Sequence, residues 1–98
     1  MNDKELLELA AKAAGYNAFA GHAEQMLDSG WNPLTDDGDA LRLAVKLSMW
    51  IYEYSTHVSV AATYNDTRYQ MQEGVNDDPY TATRRAIVRA AAEIGRMM

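Results

Sequence analysis

Near the start of the chain, apolar side chains recur at helical spacing: Leu6, Leu9, Ala10 and Ala13 share one face, while Lys4, Glu8 and Lys12 lie on another. This period predicts an amphipathic helix over Asp3 to Ala14, with Gly15 standing where helices commonly stop. From Tyr16 to Ser29 the pattern is mixed, with Phe19, Met26 and Leu27 scattered around Gly21 and His22. An irregular loop, a short strand near Asn17 to Ala20 and a one-turn helix all remain open there. Order resumes at Trp31-Asn32-Pro33-Leu34-Thr35-Asp36-Asp37-Gly38-Asp39. Pro33 biases Asn32 away from helical backbone, and the acidic cluster offers acceptors to the orphan amides of a helix start. Beyond it Arg42 and Lys46 are the charged residues in an otherwise mostly apolar run to Met49. That run predicts a largely buried helix over Asp37 to Met49 with one narrow polar stripe.

The period then changes to two. Tyr52, Tyr54, Thr56, Val58, Val60, Ala62 and Tyr64 alternate with Glu53, Ser55, His57, Ser59, Ala61 and Thr63, which predicts a strand with one face toward a core. Asn65-Asp66 is a natural turn, and Thr67 to Glu73 resumes the alternation, so the region from Tyr52 to Glu73 reads as an antiparallel hairpin. A break at Ser55-Thr56-His57 would make three strands of it. Asp78-Pro79 is a helix start, with Asp as the cap and Pro at the first helical position. The last helix runs from Pro79 to Met97. Its apolar face is Thr83, Ile87, Ala90, Ala91, Ile94 and Met97 or Met98, and Arg85, Arg89, Glu93 and Arg96 form the outer stripe. The fold class is therefore α+β, a short antiparallel sheet layered with about three helices. The expected core is Leu6, Leu9, Leu41, Val45, Val58, Val60, Ile87 and Ile94.

Composition narrows the function. A chain of 98 residues with 48% hydrophobic and 23% charged positions is expected to form one globular domain. It has no cysteine, which excludes a disulfide framework, a thiolate zinc site and a cysteine nucleophile. The net charge of -5 disfavours a protein devoted to neutralising phosphates or anionic lipid. The charge is uneven: residues 1–40 are strongly acidic, residues 41–76 balance, and the rest is mildly basic through Arg84, Arg85, Arg89 and Arg96. No apolar run approaches membrane-spanning length and no secretory signal pattern stands at the start, so a cytoplasmic location is expected.

Two stretches carry a family resemblance. Trp31-Asn32-Pro33-Leu34-Thr35-Asp36-Asp37-Gly38-Asp39 with the helix to Leu47, and Asp78-Pro79-Tyr80-Thr81-Ala82-Thr83-Arg84-Arg85 with the helix to Gly95, resemble the small phage and prophage proteins grouped as the phage ABA sandwich domain. The resemblance spans about Trp31 to Gly95, and its first segment is the more specific. It implies an α/β/α sandwich-like layering and an origin in a bacteriophage or prophage genome, hence a bacterial host cell. It implies no activity, catalytic residue or cofactor.

Candidate chemistry is sparse. Asp36, Asp37 and Asp39 would suit a divalent cation, but they lack the alternating pattern, sixth-position Gly and twelfth-position Glu of a calcium loop. Helix capping is the better reading of these residues. His22 and His57, with Glu24, are the available acid/base groups, yet no nucleophile elbow, paired-histidine motif or phosphate loop accompanies them. No enzyme, metal or cofactor is expected. Two tryptophans and six tyrosines exceed what a small core encloses easily. Trp31, Trp50, Tyr52 and Tyr54 are therefore candidate protein-binding residues, with Trp31 equally readable as the anchor of the Pro33 turn. The alternative function is a nucleic-acid accessory role for Arg85, Arg89 and Arg96. A homodimer is also expected, because the Tyr52 to Tyr54 edge carries only Glu53 to discourage pairing.

Overall fold

The structure, a computed structural model, describes residues 1–16, 29–76 and 78–98. The elements are α1 (Asp3–Ala13), α2 (Asp37–Lys46), β1 (Trp50–Glu53), β2 (His57–Tyr64), β3 (Thr67–Gly74) and α3 (Pro79–Arg96). Among the described residues, three helices and a three-stranded antiparallel sheet of order β1-β2-β3 make an α+β fold, as the periodicities predict. The unassigned run from Tyr16 to Ser29 lies mostly outside the described residues.

Each helix end has a local cause. The Asn2 side chain caps α1, Asp36 caps α2 by accepting from Gly38 and Asp39, and Asp78 caps α3 by accepting from Tyr80. At the end of α1, the Gly15 and Tyr16 amides turn back to the carbonyls of Lys12 and Ala11, with Gly15 at φ +82°. The end of α2 repeats the motif with Ser48 in the left-handed position, its amide and that of Met49 returning to Val45 and Ala44. This turn stops the helix at Lys46 rather than at the expected Met49, and releases the chain into β1.

The sheet closes through two tight turns. Asn65 and Asp66 both take positive φ, the geometry of a two-residue hairpin turn that matches strand twist. Tyr54 donates its amide to the His57 carbonyl at 2.9 Å, so Ser55 and Thr56 form a second turn and three strands result.

The core lies between the sheet and α3, and between α3 and the other helices. α3 packs on β2 and β3, while α1 and α2 pack on α3. Its central place explains why Ala82, Ala86, Val88 and Ala92 are buried along with Ile87, Ala90, Ala91 and Ile94. Small alanine side chains let these layers approach closely. Leu6, Val58, Val60, Ile87 and Ile94 are buried as expected, and Leu9 is partly buried against them.

Two expected core residues are not core. Leu41 is 61% exposed and Val45 69% exposed, because α2 leans on α3 through Ala40, Leu43 and Ala44 only. Met97 and Met98 also remain exposed, since α3 ends at Arg96.

Candidate protein-binding surface around strand β1

The register sorts the sheet residues onto two faces. Val58 and Val60 are buried in the core cluster, and their partners Glu53 and Ile51 face the helices with them. Trp50 opposes Ala61 and Tyr52 opposes Ser59, so these four occupy the other face. This corrects the expectation that Tyr52 and Tyr54 share a face with Val58 and Val60. The turn at Ser55-Thr56 shifts the alternation by one residue, which sends the β1 aromatics to the side away from the helices.

Trp50, Tyr52 and Tyr54 thus form one strip, exposed by 50%, 39% and 54%. Ser59 and Ala61 are nonetheless buried in the middle of this face, with β1 on one side and Gln70 and Gln72 of β3 on the other. Gln70 Nε2 donates to Ser59 Oγ at 2.8 Å. The Arg68 guanidinium lies 5.5 Å from the centre of the Trp50 ring, a cation–π contact across the sheet. Tyr54 stacks on His57 at 4.6 Å, and His57 Nδ1 lies 3.0 Å from the Thr56 hydroxyl.

On its helix side β1 borders an open, mostly apolar cleft of about 510 Å³ against α2 and α3, lined by Leu41, Ile51, Tyr80 and Ile87 among others. Leu41 and Tyr80 are more than half exposed there. Thr83 donates its hydroxyl to the Glu53 carboxylate at 2.9 Å on this side. The sequence pattern missed this cleft. Its signal is the apolar run of α2, which predicts a largely buried helix, whereas Leu41 stands exposed at the cleft.

The other candidates are placed elsewhere. Trp31 is partly buried against the core and meets Tyr16 edge-on at 5.7 Å, which favours the anchoring reading. Arg85 pairs with Asp3 at 3.3 Å, Arg96 with Glu93 at 3.0 Å, and Arg89 with Glu73. The acidic cluster is spent on structure. Asp36 caps α2, Asp37 pairs with Arg84 at 2.6 Å, and buried Asp39 accepts the Asn32 amide at 2.9 Å while pairing with Arg42. Among the described residues no group of three or more His, Asp or Glu side chains is arranged to hold a metal. His22 and Glu24 lie outside the described residues. No described helix is long and apolar enough to cross a membrane. Comparison with family models, curated proteins and solved structures finds no match to this chain.

Proposed function

We propose that this chain is a phage or prophage accessory protein that acts in the cytoplasm of a bacterial host by non-catalytic protein binding, modulating a host or defence factor. One observation carries the binding reading: Trp50 and Tyr52 on the edge strand β1 and Tyr54 just after it stand exposed. Large aromatics ordinarily serve a small core, and where they cluster at the surface they serve as contact anchors. The phage setting rests on the resemblance of the segments at Trp31 and Asp78.

The competing reading, nucleic-acid binding by Arg85, Arg89 and Arg96, draws less support. Each of the three already holds a carboxylate, so phosphate would have to displace an internal partner. An affinity pull-down from the bacterial host, with and without nuclease, separates the two. A nuclease-resistant protein partner, lost with the Trp50→Ala/Tyr54→Ala double variant and tolerant of salt, is the expected result. Nucleic acid recovered alone, released steeply by salt, overturns it.

A further inference from the structure

We infer that β1 pairs antiparallel with β1 of a second copy about a twofold axis at Tyr52, joining two three-stranded sheets into one. This rests on the reading of β1 as the protein-binding element and names the occupant of its free edge.

The backbone decides the register. Tyr54 donates to the His57 carbonyl, so in the alternating antiparallel ladder the amides and carbonyls of Tyr52 and Trp50 also point at β2. Those of Ile51 and Glu53 then point away, to the edge that no described strand pairs. A symmetric pair that keeps both helical layers on one side must set same-face residues opposite each other, so the axis passes through a residue. Centred on Ile51, it would set Glu53 against Met49, whose amide is already committed to the Ala44 carbonyl at 2.9 Å. Centred on Tyr52, it sets Ile51 against Glu53 of the second copy and Glu53 against Ile51, which satisfies every outward group of the strand.

The side chains agree. Centring on Tyr52 sets Tyr52 against Tyr52 and Trp50 against Tyr54, cross-strand aromatic pairs at the closer, non-hydrogen-bonded spacing. Among the described residues nothing blunts this edge: Glu53, the single charge on β1, is turned to Thr83. β3, the other edge, carries Arg68, Gln70 and Gln72.

The cysteine-free chain permits a direct test of the register. Across this axis Tyr52→Cys places two sulfurs on Cα atoms about 4.5 Å apart, within disulfide range, whereas Ile51→Cys is offset from its copy by two residues. Sedimentation of the wild-type chain should give twice the 10.9 kDa chain mass. On mild oxidation the Tyr52→Cys variant should cross-link to a dimer and the Ile51→Cys variant should remain single. A single-chain mass at millimolar concentration, or preferred cross-linking through position 51, overturns the inference. A monomer that still captures another protein through Trp50 and Tyr54 overturns the inference alone and leaves the binding reading standing.

Discussion

At Gly95 one missing side chain sets the distance between two helices. A Cβ there would sit 2.1 Å from the Leu9 carbonyl oxygen and 2.9 Å from its carbon, both rigid backbone. Helix propensity alone favours Gly95→Ala by about 1 kcal/mol, yet overpacking against backbone costs about 1 to 3 kcal/mol and more where nothing can yield. Net destabilisation of about 2 kcal/mol is expected in urea unfolding. A stabilised variant would show that α1 and α3 are free to separate. Asp78 offers a test in pH. Its carboxylate accepts from the Thr81 hydroxyl at 2.6 Å and the Tyr80 amide at 2.9 Å, and these bonds hold its pKa below the usual aspartate value, with Arg84 adding to the shift. A lowered folded-state pKa stabilises the protein above the unfolded value of about 3.9, and the stabilisation fades as pH falls through the folded value. The stability gap between wild type and Asp78→Ala should therefore be open at pH 7 and shrink below about pH 4; a gap unchanged across that range contradicts the cap. Both aspartate caps were legible because capping is local and needs only the right residue before a helical period. The hold of Asp39 on the Asn32 amide was not, since it depends on how the chain folds back.

Among the elements, α2 departs furthest from its sequence pattern. Its apolar run predicts burial everywhere but along the narrow stripe of Arg42 and Lys46, yet only the stripe through Ala40, Leu43 and Ala44 finds a partner in α3. The consequence is a contrast within one helix. Leu43→Ala should cost about 2 to 5 kcal/mol, while Val45→Lys in dilute protein should change stability by less than about 0.5 kcal/mol. Chemical denaturation of the two variants checks it, and equal losses would restore Val45 to the core. The strands were legible as a run of alternation, but not their faces. A two-residue turn at Ser55-Thr56 preserves the appearance of alternation while exchanging the sides, so Tyr52 and Tyr54 look continuous with Val58 and Val60 and are not.

For the whole molecule, that exchange of sides links fold to proposed function. Leu41, which the pattern assigns to the core, and Tyr52 and Tyr54, which it sets on the core face of the strand, stand outside the core and gather around one strand: the two tyrosines with Trp50 on one face, Leu41 with Tyr80 beside the cleft on the other. Charge works in the opposite sense, because the basic stripe of α3 is consumed by pairs with Asp3, Glu73 and Glu93. The acidic N-terminal region and basic C-terminal helix, visible in the sequence as an imbalance, meet within the molecule through Asp3–Arg85 and Asp37–Arg84. Residue-resolved amide hydrogen exchange across a dilution series tests β1 as a binding edge. The amides of Tyr52 and Tyr54, bonded to β2, should be protected at every concentration. Those of Ile51 and Glu53 should gain protection as the protein is concentrated; fast exchange of both at all concentrations contradicts an occupied edge.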